Sequence, residues 1–179
     1  MTLIPPPLER FVTLSQVPLT VAAPGAGGQL LLAVNDAFER LTGYGRSEIV
    51  GRDCRLLQGA RSEATARKAM RDGLRDGLET CAVITNYRRD GTEFDNFVYL
   101  IPVFEGSGDT PVMTIGSQFE IGAENRVAAH MEHTRFLQAG LAELNAGQLG
   151  DLFIECAGLS DLTAQALVMH RIRNLRRVA

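Results

Sequence analysis

The chain has 179 residues, 45% of them hydrophobic, with a formal net charge of -3. A chain of this size buries one core without disulfide staples, and its mild negative charge excludes a general electrostatic pull toward nucleic acid or an anionic membrane. Three sparse cysteines, Cys54, Cys81 and Cys156, exclude a disulfide framework and a paired-cysteine metal or redox site, and point to free thiols in a reducing compartment.

The N-terminal MTLIPPPLERF lacks the basic start, apolar run and small-residue cleavage site of a signal peptide. Leu8, Phe11 and Val12 fall at i, i+3, i+4 after the prolines, so a short amphipathic helix is expected within residues 1–18. Residues 19–34, LTVAAPGAGGQLLLAV, read as strand, glycine-rich turn and strand. The turn lacks GxGxxG and no clear helix follows it, which argues against a phosphate cradle. The longest apolar run, LLLAV, is far below the roughly 20 residues of a membrane span, so a soluble, cytoplasmic protein is expected.

From Asn35 the pattern becomes helical and broken. Asn35 or Asp36 is positioned to cap a first piece ended by Gly43, and Ser47 a second ended by Gly51. Cys54 begins a third, and a longer helix is expected from Ser62 to near Gly77. Three strands follow: ETCAVITNY, then DNFVYLIPVFE after an Asp90-Gly91 hairpin turn, then PVMTIGSQFEI. Side chains alternate along a strand. One face therefore carries Ala82, Ile84 and Asn86; Asn96, Val98 and Leu100; and Thr114, Gly116 and Gln118. Three amides on one apolar face suggest a shared ligand, since an unpaired buried amide costs about 1–3 kcal/mol. The alternative is that the amides lie at exposed strand ends.

Residues 122–179 read as a helical extension, a hairpin or small bundle. Val127, Met131, Thr134, Leu137, Leu141 and Leu144 form a first stripe. Leu149, Leu152, Phe153 and Cys156 suggest a second helix, and Leu162 to Leu175 a third. Cys81 and Cys156 read as packing residues.

GRDCRLLQG at 51–59 resembles the GRNCRFLQG signature of light-oxygen-voltage (LOV) photosensor domains, a branch of the PAS superfamily. NDAFERLTGY, ITNYRRDG, FDNFVYLIPV and TIGSQ resemble that family in order and spacing, over roughly residues 20–121, which sets the expected sensory domain at 19–121. The resemblance implies an α+β PAS fold, a five-stranded antiparallel sheet with helices around a flavin pocket, holding FMN and no metal. It implies blue-light sensing in which Cys54 adds reversibly to the flavin C4a carbon. The excited flavin supplies the activation that a catalytic thiol ordinarily takes from a base, and His130, His133 and His170 all lie in the extension.

By the same resemblance, Asn86, Asn96 and Gln58 meet the pyrimidine edge of the ring, Gln118 sits near O4 and N5, and Arg55 and Arg71 bind the phosphate. Asp53 replaces the usual ribityl-contacting asparagine, and Val98 stands where a larger aromatic is common; Leu56 replaces a phenylalanine. Nothing resembles a kinase, cyclase or phosphodiesterase, so a stand-alone short LOV sensor, not an enzyme, is expected. Its terminal helices would pack on the sheet or on a second subunit, with light altering docking or homodimerisation. One alternative is a light-regulated DNA binder with a helix-turn-helix-like C-terminus. Residues 122–179 balance six acidic residues against six arginines, which argues against nucleic acid. The other alternative is a flavin redox or PAS ligand sensor without photochemistry.

Overall fold

The computed structural model describes residues 4–122, 126–146 and 150–154, with side chains of the last helix described from Glu132 onward. The third appended helix, Cys156 and the basic tail lie outside the described residues.

Chain order is α1 (Pro6–Leu14), β1 (Leu19–Gly25), β2 (Gly28–Val34), α2 (Asp36–Thr42), α3 (Arg46–Ile49), a 3-10 turn (Cys54–Leu57), α4 (Ala64–Arg75), β3 (Thr80–Tyr87), β4 (Glu93–Glu105), β5 (Met113–Glu120), α5 (Arg126–Asn145) and β6 (Leu152–Ile154). The strands form one antiparallel sheet in the order β2-β1-β5-β4-β3. Six strands are therefore present among the described residues, where five were expected. Residues 152–154 are strand β6, not the second appended helix: Val103, Phe104 and Glu105 pair with Ile154, Phe153 and Leu152. The cause is a vacancy in the sheet. β3 pairs with β4 only as far as Leu100, so the end of the 13-residue β4 offers unpaired backbone groups that β6 satisfies.

The sheet has two apolar faces. On the outer one, Val21, Tyr99, Ile101, Met113 and Ile115 meet Leu8 and Val12 of α1 and Leu137, Leu141 and Leu144 of α5. The described part of each terminal stripe is thus covered by the chain's own sheet. On the inner face, no single core forms. Ala22, Leu31, Val34, Phe38, Ile49 and Leu57 make one cluster, and Met70, Ile84 and Val98 another. The gap between them is the cavity described below.

Local chemistry explains the short helices. Asn35 Oδ1 accepts from Phe38 N–H at 3.0 Å and caps α2; Gly43, at φ 75°, ends it. The next cap is Gly45 rather than Ser47, because Gly45 N–H donates to the Glu48 carboxylate at 2.9 Å. Ser62 does not start α4. Its hydroxyl donates instead to Thr85 O at 2.6 Å, tying the loop to β3, and the helix begins two residues later.

Candidate functional site

The cavity has a volume of about 780 Å³ and lies between the inner sheet face and α2, the 3-10 turn and α4. Such a volume suits a small-molecule ligand. Its walls are mostly apolar, with Leu31, Phe38 and Leu57 on one side and Ile84, Val98 and Leu100 on the other. All nine residues singled out in the sequence line it: Asp53, Cys54, Arg55, Gln58, Arg71, Asn86, Asn96, Val98 and Gln118.

The three amides sit deep rather than at exposed strand ends: Asn86 is 3%, Asn96 0% and Gln118 6% exposed. Strand register brings them together, with Ile84 opposite Asn96 and Val98 opposite Gln118. Asn96 Nδ2 donates to Asn86 Oδ1 at 2.8 Å, and Asn86 Nδ2 donates to Thr85 O at 3.3 Å. Asn96 Oδ1 and Gln118 Oε1 are buried without a hydrogen-bond partner. Orphaned acceptors this deep carry a desolvation penalty that a ligand bearing N–H donors removes.

The GRDC stretch is held over the cavity by β2. Leu31 N–H donates to Arg52 O at 2.9 Å, and Gly51 N–H donates to Leu31 O at 2.7 Å. Gly51 adopts φ 84°, a left-handed turn that sends the chain into the 3-10 segment. Asp53 caps that segment, accepting from Arg55 N–H at 2.8 Å. Cys54 is thereby placed at the cavity wall. Burial, and secondarily the Asp53 charge, push its thiol up to about 11, so it is a neutral S–H at physiological pH.

Asp53 and Arg55 form a forked pair, Nε to Oδ1 at 2.9 Å and Nη2 to Oδ2 at 2.5 Å. The Arg55 guanidinium holds the Asp53 carboxyl below its ordinary range. Arg55 Nη2 also donates to Gly27 O at 2.9 Å. The glycine-rich turn, which offers no phosphate cradle because a strand follows it, thus supplies a carbonyl to this arginine.

The sequence reading missed several lining residues. Arg67 lies one helical turn before Arg71 on α4 and shares its face, a spacing that could have revealed it. Gln29, whose Oε1 is also buried without a partner, lines the β2 side; its place beyond the glycine-rich turn gave no signal.

Gln118 has neighbours that point the other way. Ser117 Oγ lies 2.5 Å from His133 Nε2 of α5, and the Phe119 ring meets the His133 ring edge-on at 5.3 Å between centroids. One strand therefore joins the cavity to the outer helix.

The profile of the PAS domain family matches residues 26–122. Blue-light-activated histidine kinase 1 of Erythrobacter litoralis is 38% identical over 110 residues, covering 56% of this chain and 30% of the kinase. Phototropin-2 of Oryza sativa subsp. japonica is 34% identical over 91 residues, 51% of this chain and 10% of the phototropin. The chain thus spans about a third or less of these curated relatives. Among solved structures, the Rhodobacter sphaeroides LOV protein superposes with a TM-score of 0.79 at 31% identity, covering 94% of this chain and 95% of that one. The chain belongs to the PAS domain family, and within it to the light-oxygen-voltage domains.

A flavin suits the residues present. Its flat ring suits the gap between the two inner clusters, its one ring N–H suits an orphaned amide oxygen such as Asn96 Oδ1, and a phosphate suits the arginines at the mouth.

Proposed function

We propose that this chain is a blue-light photosensor whose cavity holds FMN and whose Cys54 is the photoreactive thiol. The observation that carries the reading is the meeting, in one cavity, of a neutral half-buried thiol with two orphaned amide oxygens, Asn96 Oδ1 and Gln118 Oε1. Asn86, Asn96 and Gln58 hold the ring edge, Asp53 faces the ribityl chain, Val98 packs on the ring, and Arg71 and Arg67 face the phosphate, beside Arg55, whose guanidinium is shared with Asp53. Bound here and excited by blue light, a flavin would supply electrophilic chemistry at its C4a carbon, for which Cys54 would provide the sulfur, its thiol proton going to N5.

Cys54 needs no neighbouring base for this role, and its high pKa keeps the proton in place in the dark. Gln118 answers the change at N5 by reorienting its amide, whose two ends offer a donor and an acceptor. β5 carries that change to Ser117, Phe119 and His133, and so to the docking of α5 or to contact between two copies of the chain. The terminal apolar stripes already cover the sheet, so they lend no separate support to a homodimer.

An absorption spectrum tests the reading. The purified protein shows a blue flavin band that bleaches on illumination and recovers in the dark, and Cys54→Ala retains the flavin without bleaching. A protein that stays colourless when expressed with flavin available sinks the proposal. A Cys54→Ala variant that bleaches like the parent sinks the assignment of the thiol.

A further inference from the structure

The cations at the mouth of the cavity are not equivalent. Arg75 pairs with Asp76 and Asp72. Arg67 and Arg71, one helical turn apart on α4, line the cavity with no ion pair among the described residues. Arg55 is committed to the protein, with its Nε and Nη2 donating to Asp53 and Nη2 donating also to Gly27 O.

A guanidinium offers five N–H donors in a rigid fork that suits a carboxylate or a phosphate equally well. In this chain the carboxylate is built in, two residues away. The fold also makes room for it. A Cβ at Gly28 would lie 1.9 Å from Asp53 Oδ2 and 2.8 Å from Arg55 Nη2, so a side chain there would push the ends of the pair aside.

Resting on the flavin reading above, we propose that Asp53 is a specificity-determining residue that suppresses selection for the flavin phosphate. Its carboxylate competes with that phosphate for Arg55, leaving Arg67 and Arg71 as the uncommitted phosphate ligands. The pocket accordingly favours FMN over riboflavin by less than it would with all three arginines free. Removing the negative charge at 53 releases Arg55 and also removes a repulsion on the phosphate. Arg55 is solvent-exposed and Asp53 partly so, with side-chain exposures of 58% and 29%, so the effect is modest in size.

Asp53→Asn is a clean probe, because the amide oxygen still accepts from Arg55 N–H and keeps the cap of the 3-10 turn. The full-length apoprotein is titrated with FMN and with riboflavin, reading flavin fluorescence, and the ratio of the two dissociation constants is compared across variants. Riboflavin binding is the internal control for folding. Asp53→Asn raises the preference for FMN by about threefold to tenfold, and added salt erodes that gain. Arg55→Gln changes the preference by less than about twofold in the parent but abolishes the gain in the Asp53→Asn background, the coupling expected of two groups in one contact. An unchanged preference in Asp53→Asn, with riboflavin still bound, overturns the inference and leaves the flavin reading intact. So does an Arg55→Gln effect as large in the parent as in Asp53→Asn. Failure of both flavins to bind any variant, the parent included, overturns both.

Discussion

Two residues show how differently polar groups are used in this chain. Asn35 is 0% exposed and fully engaged: its Oδ1 accepts from Leu19 N–H and Phe38 N–H, each at 3.0 Å, and its Nδ2 donates to Val12, Ser15 and Val17 carbonyls. It joins α1, β1 and α2 in one side chain. Asn35→Ala orphans several buried backbone groups and removes a helix cap, so it costs about 2 kcal/mol or more, measured as a shift in the denaturant midpoint at constant slope. Asn96, equally buried, keeps an oxygen without a protein partner. The first residue is architecture, and the second keeps an unpaired acceptor on a residue that lines the cavity.

Cys54 supplies a pH prediction at the same scale. Its folded-state pKa is raised to about 11 by burial first and the Asp53 charge second. Between the ordinary thiol value and about 11 the unfolded chain has released this proton while the folded chain retains it. Stability is therefore undiminished by this group below the ordinary thiol value and falls as pH climbs through that window. Iodoacetamide accordingly alkylates Cys54 slowly at neutral pH in the apoprotein and faster as pH approaches about 11, followed by mass spectrometry of the Cys54 peptide. Fast labelling near neutrality would contradict the buried, neutral thiol.

At the scale of elements, β4 and β5 organise the molecule. β4 is long enough to pair with β3 and β6 on one side and β5 on the other. β5 places Gln118 in the cavity while Ser117 and Phe119 touch His133 on the opposite face. That arrangement links α5 to the cavity through a single strand. Leu141, 1% exposed and packed in the outer core, is the anchor to remove. Leu141→Ala costs about 2–5 kcal/mol of docking. Amide hydrogen exchange rises in α5 while the flavin band is retained, since the inner face is untouched. Loss of flavin in that variant would show that the two faces of the sheet are not separable.

For the whole molecule, the outer core ties both ends of the described chain to one sheet: α1 and α5 cover the face opposite the cavity. Undocking α5 exposes Leu137, Leu141 and Leu144 together, an apolar stripe that favours association. Light scattering in the dark and under blue light measures this directly. Illumination changes the apparent mass by a factor of about two if α5 release drives assembly, and a differential interaction of a few kcal/mol suffices for that shift. An unchanged mass with increased α5 exchange would confine the response to one chain. No helix among the described residues is long and apolar enough to cross a membrane.

Strand identity, the inward set of Asn86, Asn96 and Gln118, and the cysteine among arginines were all legible in the sequence, because the two-residue period and short motifs are local properties of the chain. Where Ser62 and Glu48 bond was not, since a hydroxyl or carboxylate chooses its partner from groups that only folding brings near. The strand at 152–154 was hidden for the same reason: its apolar residues suit a helix as well as a strand, and the open end of β4, some 50 residues earlier, decided between them. Asp53 belongs to both accounts. The sequence marked it as a departure from the LOV motif. Its commitment to Arg55, and the place of the pair against the bare Gly28, arise only when β2 is laid beside the 3-10 turn.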